Sequence, residues 1–287
     1  MADVLLATCR EWPDGEPGGD RLLEELTARG VSAEWAVWDD PGVDWSAVPL
    51  VLVRSTWDYQ DRRAEFLTWT RSVGDSLVND ATAVAWNTDK SYLVELAATS
   101  LPVVPTVSVD DESELAPAVA AFVPAVVKPR VGANGRGVVV FDGEPGGPTD
   151  LDESHLQVGP WVVQPLVESV RTEGETSVYV FAGTAASQAQ KRPGGEEIRV
   201  HEEYGGSTAE VPLADEAAAL ALDAVSTVER LLGSSLSYAR VDLMRLDDGV
   251  LALSEIEIVE PDLYLEVIPG NASAFAEMVA GLLAARR

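Results

Sequence analysis

The 287-residue chain has a single cysteine, Cys9, so no internal disulfide can form. With only two histidines as well, there is no Cys/His cluster to hold a structural zinc. Basic charge is equally scarce. Twenty Lys and Arg face 48 Asp and Glu, and the formal net charge of −28 argues against nucleic acid or an anionic membrane as the main partner. No stretch approaches the roughly 18 uninterrupted apolar residues of a membrane span. The opening MADVLLATCREWPDGE has no basic segment ahead of a long apolar one, so it does not read as a secretory signal. The expected location is the cytoplasm. Neither GxxxxGK[ST] nor GxGxxG occurs, which removes the P-loop and Rossmann fingerprints, and no nucleophile elbow is present. Only three lysines stand among the 20 cations: Lys90, Lys128 and Lys191. A lysine retained in so arginine-rich a chain suggests a task for a compact point charge rather than a fork.

The chain does have ample apolar material. A hydrophobic fraction of 46% and a charged fraction of 24% are ordinary for a globular protein of one large domain or two lobes. Val4–Ala7 and Leu50–Val53 read as buried strands. Between them Asp20 is expected to cap a helix that Gly30 ends, with Leu22, Leu23 and Leu26 on one face. A second helix is expected over Ala64–Ser72, and a third over Asp89–Ala98, capped by Asn87 or Thr88. Asp110–Glu114 reads as a linker or loop. From Ala125 the pattern turns β-rich, with strands expected at 125–128, 137–141, 161–164, 176–182, 238–246 and 250–258. Gly143–Pro148 reads as a surface loop. Helices at about 214–232 and 272–285 are expected to pack on the outside.

The segment YARVDLMRLDDGVLALSEIEIVEPD, residues 238–262, carries most of the chemistry. Asp248-Gly249 is a two-residue hairpin signal, and that loop would place Asp242 opposite Glu255 and Arg240 opposite Glu257. Alternation puts these four side chains on one face, with Val241, Leu243, Ala252, Ile256 and Ile258 on the other. Three carboxylates on one face need counter-charge, which Arg240 alone does not supply. Hard oxygen ligands without histidine or cysteine suit Mg²⁺ or Mn²⁺. The alternative is a solvated polar face. AVVKPRVGANGRGVVVF, residues 125–141, sets Lys128 at a strand end, ahead of glycines whose amides can approach phosphate or merely make turns.

Taken in order, NTDK at 87–90, VVKPRVGANGRGV, WVVQPLVES, EGETSVYVF, and RVDL followed by SEIEIVEPDLYL resemble the ATP-grasp superfamily, in its glutathione-synthetase-like branch. RSTWDYQDRRAEFLTW ahead of NTDKSYLVELA is most similar to actinobacterial amino-acid ligases of natural-product pathways, the cycloserine synthetases among them. The resemblance implies an α/β amino-terminal lobe over residues 1–88 and an ATP-grasp domain over 89–287. Within the latter it implies a lid at about 105–160 and an antiparallel-sheet subdomain at 161–287.

It also implies roles. Lys90 and Lys128 match lysines that contact ATP phosphates, with Lys191 a further nucleotide contact. Gly132–Gly137, with Gly135 and Arg136, matches the loop over the triphosphate. Gln164, Pro165, Leu166 and Val167 match the segment that meets adenine, and Glu175 the residue that binds ribose. Asp242, Glu255 and Glu257 match magnesium ligands, although asparagine often stands where Glu257 does. Arg240 and Lys128 are the expected catalytic residues. For substrate the candidates are Arg54, Ser55, Asp58, Arg199 and Arg240. Arg54 stands at a strand end where α/β sheets place ligand groups, with a surface ion pair to Asp58 as its alternative. Trp57 and Tyr59 are as readily packing residues as ligand contacts. His155 and His201 receive no catalytic role.

The implied reaction is an ATP-dependent carboxylate–amine ligation through an acyl phosphate on an amino acid. Intramolecular ring closure and a nucleotide-binding regulator without catalysis are the alternatives. The expected partner is the small-molecule substrate, and self-association into a homo-oligomer is left open.

Overall fold

The computed structural model describes residues 2–143, 158–195 and 197–286. Its first sheet is parallel and consists of β1 (Val4–Thr8), β2 (Ala33–Val37), β3 (Leu50–Ser55) and β4 (Leu77–Val78), in the order β2-β1-β3-β4. β1 and β3 are buried at every position because both of their faces are covered, which is why they read as unbroken apolar runs. Leu5, Ala7, Val51 and Val53 turn toward α2 (Arg63–Val73), whose Phe66 and Trp69 are buried against them. Val4, Leu6, Leu50 and Leu52 turn the other way, toward α1 (Gly19–Ala28). The α1 N-cap is Gly18, in the left-handed region where a side chain is strained, and Asp20 lies in the first turn instead of capping it.

The helix expected over Asp89–Ala98 is the shorter α4 (Tyr92–Ala97), and a further helix that was not expected, α3 (Ala81–Asn87), precedes it. Asn87 caps neither; its amide accepts from Ile258 N and donates to Ile256 O, binding the end of α3 to the far hairpin. The second sheet is antiparallel, with β5 (Val107–Val109), β6 (Ala125–Pro129), β7 (Val139–Phe141) and β8 (Trp161–Pro165) in the order β5-β8-β6-β7. One face is covered by α5 (Glu112–Ala120), a helix in place of the expected linker. Its Asp111 N-cap accepts from Ser113 N, and Leu115 and Val119 point inward. Most of the expected loop Gly143–Pro148 lies outside the described residues.

After the single-turn α6 (Ser169–Thr172) comes the third sheet: β9 (Glu175–Phe181), β10 (Thr184–Arg192), β11 (Ser207–Val211), β12 (Tyr238–Arg245) and β13 (Leu251–Glu257). Its order is β11-β10-β9-β12-β13, antiparallel throughout. α7 (Asp215–Leu232) packs on one face through Ala217, Ala221, Ala224 and Val228. The last helix, α8 (Gly270–Arg286), is not on the outside. Phe275, Ala276, Val279 and Leu283 share one core with Leu22 and Leu26 of α1, Leu50 and Leu52 of the first sheet, and Tyr179 and Phe181 of the third.

The β12–β13 register has Asp242 opposite Glu255 and Arg240 opposite Glu257, as the hairpin signal predicts, but it is reached differently. The loop is three residues, Asp247 to Gly249, closed by Leu246 N donating to Val250 O at 2.8 Å, with Gly249 at φ 84°. That shifts the pairing by one near the turn, where Leu243 faces Leu253. A bulge at Ser254 shifts it back before the acidic residues. Ala252 is thereby moved to the face it was not assigned, beside Val104, Val167 and Met244, and Leu251 and Leu253 take the core side.

Candidate active site

A cavity of about 450 Å³ lies between the three sheets. Its apolar end is formed by Val104, Val126, Leu166, Val167 and Met244, with Gln164 and Pro165 on the same wall. Its floor is the open face of the third sheet. Register brings Asp242 beside Ser177, and Lys191 beside Glu175, so alternate residues of four strands converge. Ser177 Oγ donates to Asp242 Oδ1 at 2.5 Å, Arg240 Nη2 contacts Asp242 Oδ2 at 2.8 Å, and Arg240 also pairs with Glu257. Lys191 Nζ lies 3.4 Å from Glu175 and 3.5 Å from Asp242. Lys90 Nζ is 2.8 Å from Glu255 and donates to Gly132 O at 2.9 Å, which connects the glycine loop to the floor.

The counter-charge expected from a metal alone is thus partly supplied by the protein. Three lysines and Arg240 face the carboxylates, and among the described residues no three Asp, Glu, His or Cys form a ready metal cage. Negative charge still prevails. Burial, with Asp242, Glu255 and Glu260 adding repulsion, pushes the Glu257 carboxyl up to about 8 even with Arg240 beside it. Burial would likewise raise Asp242, but Arg240 and Lys191 hold it well below the usual carboxylate range. A hard-oxygen donor set with this residual negative charge fits a divalent cation of the magnesium type. Lys128 has no carboxylate within ion-pair distance among the described residues, and burial pushes its ammonium pKa down. It is a cation left open to an incoming anion.

The glycine loop contributes Gly135, at φ 67°, and Arg136 to the cavity wall. A Cβ at Gly135 would lie 3.3 Å from Arg199 Cδ, so a side chain there would push against the facing loop. Arg199 pairs with Glu197 at 2.5 Å and stacks over the Tyr204 ring at 3.5 Å. His201 lines the same wall, and burial lowers its pKa, which favours the neutral imidazole.

Three of the expected substrate residues do not reach the cavity. Arg54 is fully buried, its Nε and Nη2 donating to Glu16 Oε1 at 2.9 and 2.6 Å and its Nη2 to Pro261 O at 2.8 Å. Ser55 Oγ is within 2.7 Å of Thr8 Oγ1. Asp58 accepts from Trp38 Nε1 and pairs with Arg62, not with Arg54. The reason is that β3 runs on to Ser55, so Arg54 is still inside the sheet; the cavity is reached only in the loop beyond it, by Trp57 and Tyr59. Trp12, in the corresponding loop after β1, and Glu260 complete that end and were not anticipated. The strand-end rule applied to Arg54 would have pointed to Trp12 as well, through the run CREWPDGE.

Comparison with known proteins agrees with this architecture. Residues 4–79 match the family described as D-cycloserine synthetase DcsG, N-terminal domain. The cycloserine biosynthesis protein DcsG of Streptomyces lavendulae is 33% identical over 285 residues, covering 90% of this chain and 91% of that protein. The crystal structure of D-cycloserine synthetase DcsG superposes with a TM-score of 0.84 at 30% identity, covering 98% of this chain and 99% of the other. The chain belongs to the ATP-grasp ligases related to D-cycloserine synthetase.

It is therefore an enzyme, a carboxylate–amine ligase that forms a carbon–nitrogen bond, and the non-catalytic reading falls. The expected fold class is borne out: a parallel α/β lobe, a middle antiparallel lobe and a final antiparallel sheet. D-Alanine–D-alanine ligase from Bacillus anthracis shares that ATP-grasp fold at TM-score 0.65 and 15% identity, over 100% of this chain and 98% of its own. So does the ATP-grasp ligase PsnB, solved with a precursor variant, Mg and ADP, at TM-score 0.64 and 16% identity over 98% and 99%. Among the described residues of this ligase no helix is long and apolar enough to cross a membrane.

Proposed function

We propose that this ligase uses ATP to phosphorylate the carboxylate of an amino-acid substrate and lets a nitrogen displace the phosphate. The observation that carries the reading is the order of chemistry along one cavity: an apolar end, a floor of lysines and carboxylates, and an aromatic, acidic far end. Adenine packs against Val104, Val167 and Met244, with Gln164, Pro165 and Leu166 supplying the wall, and Glu175 accepts ribose hydroxyls. Lys90, Lys128 and Lys191, with Arg136 from the glycine loop, take the charge of the phosphates. Asp242, Glu255 and Glu257 are the residues to hold Mg²⁺, which supplies positive charge against the phosphate oxygens when bound.

The substrate carboxylate oxygen attacks the γ-phosphorus and ADP leaves. The nucleophilic nitrogen then attacks the carbonyl carbon, a proton is lost and inorganic phosphate departs. Arg240, beside both Asp242 and Glu257, is positioned to stabilise the oxygen charge that develops in both steps. The floor needs no protein nucleophile. The Gly132–Gly137 loop closes over the triphosphate, since water reaching the acyl phosphate would hydrolyse it. Arg199 and Arg240 are the arginines left to orient the substrate once Arg54 is excluded.

Ring closure within one molecule is favoured by the full-length similarity to the cycloserine biosynthesis protein. The enzyme works in this reading as a cytoplasmic catalyst on small molecules. The test is ADP release with a panel of amino acids and their O-substituted derivatives, followed by product mass. A product one water lighter than a single substrate means cyclisation, and a product joining two substrates means ligation. No ADP release with any amino-acid carboxylate would overturn the proposal.

A further inference from the structure

The far end of the cavity holds a buried carboxylate with no assigned partner. Glu260 follows β13, is 8% exposed, and lines the cavity opposite the apolar end. No Lys, Arg or His lies within ion-pair distance of it among the described residues. Two cations whose charge acts on it are already engaged, Lys90 with Glu255 at 2.8 Å and Arg240 with Asp242 and Glu257. The Tyr59 hydroxyl lies on the same side of the cavity and lowers the cost of its charge. Burial pushes the carboxyl up to about 7, the mark of an anion lacking compensation.

The walls around it are aromatic. Trp57 Nε1 donates to the Glu260 carbonyl at 3.2 Å, which fixes the backbone. Tyr59 is stacked on Phe66 at 4.9 Å, and Trp12 meets Trp57 edge-on at 5.7 Å. An electron-rich ring pair beside a desolvated carboxylate is the chemistry that receives a small organic cation. A second carboxylate on the substrate would be repelled there.

We infer that Glu260, with Trp57 and Trp12, forms the subsite for the protonated amino group of the substrate. This rests on the reading of the protein as an ATP-dependent ligase of an amino acid, and it adds which end of that amino acid is recognised and by what. The ammonium held by Glu260 stays charged, so the attacking nitrogen is a different one. Selection is for amino acids over their deaminated analogues and against dicarboxylates.

The test compares wild type, Glu260→Gln and Glu260→Asp, each saturated with Mg²⁺ and a nonhydrolysable ATP analogue. Tryptophan emission is followed while D-serine, L-serine or 3-hydroxypropanoate, which is serine without its amino group, is added to its solubility limit. Wild type should bind one serine enantiomer roughly ten- to a hundred-fold more tightly than 3-hydroxypropanoate, the range of a charged hydrogen bond gained or lost. Glu260→Gln should bring that ratio near one while the nucleotide affinity and melting temperature hold, and Glu260→Asp should restore part of the preference. Equal binding of serine and its deaminated analogue by wild type, an undiminished preference in Glu260→Gln, or no saturable response to serine would each overturn the subsite. Failure of wild type to bind the ATP analogue would instead remove the ligase reading, and the subsite with it.

Discussion

Arg54→Met should cost the protein far more than a surface arginine would. Arg54 and Glu16 are both fully buried, and their pair is completed by Pro261 O, Leu263 N and the Phe275 ring 5.0 Å from the guanidinium. Methionine fills part of the volume but leaves the buried Glu16 carboxylate without its cation, with Asp262 adding repulsion. Breaking one side of such a pair costs about 3–5 kcal/mol. A chain of this length has an unfolding entropy near 0.6 kcal/mol/K, so the melting temperature should fall by roughly 5–8 °C. The loss should grow with pH. Burial already raises the Glu16 pKa with Arg54 present, and without it the variant's folded state favours the protonated acid still more. A raised folded pKa in an acid means stability is retained at low pH and lost as the group is forced to ionise. Thermal melts of Arg54→Met at pH 5 and pH 8 measure this, with Glu16→Leu/Arg54→Met as the partner variant. The double variant should recover much of the loss, because two apolar groups replace the pair. A shift below 1 °C in Arg54→Met, or a double variant as unstable as the sum of the two single changes, would refute the reasoning.

Three further outcomes are expected. Lys128→Arg should lower turnover about tenfold or more and weaken ATP binding, because a fork cannot replace a point charge that has no carboxylate partner among the described residues; unchanged steady-state constants would count against a phosphate role. Asp242→Asn should reduce ADP release at least about a hundredfold and raise the Mg²⁺ requirement, measured by coupled assay across a magnesium titration. Asp89, held by both nitrogens of the Arg130 fork at 2.7 Å and by the Ser91 amide, is brought down to about 2 despite burial. Its stabilisation is full above its ordinary 3.8 and fades as pH falls toward 2, so urea unfolding should show about 2 kcal/mol lost over that interval that Asp89→Asn does not show.

The hairpin shows what a sequence can and cannot convey. The acidic register was legible because Asp248-Gly249 marks a turn and alternation does the rest. The three-residue loop and the Ser254 bulge were not, and their offsets cancel at Asp242 and Glu255. β10 and β11 went unseen because TAASQAQKR has one β-branched residue and no aromatic, and STAEV is only five residues long with Thr208 and Val211 separated by Ala and Glu; β10 is a strand because β9 and β11 flank it. α5 was hidden by acidic residues that read as a loop but in fact cap and charge a helix start. Arg54 was misplaced because sequence locates a strand's end only within a residue or two, and here two residues, Ser55 and Thr56, separate a buried clamp from a cavity wall. Glu260 carried no local signal, since its meaning comes from Trp57 and Tyr59, two hundred residues away in the chain.

The position of α8 has a consequence for how the chain comes off the ribosome. The face of the first sheet formed by Val4, Leu6, Leu50 and Leu52 is finished by Phe275, Ala276 and Val279. That helix begins about 190 residues after the sheet ends, a delay of roughly 10–40 s at 5–20 residues per second. Through that interval the nascent amino-terminal lobe presents an apolar surface that α1, the one helix of its own on that face among the described residues, covers only in part. Fragments that end near residue 88 should therefore bind chaperones or aggregate. Premature stops that remove only the last helix should be as damaging to the beginning of the protein as to its end.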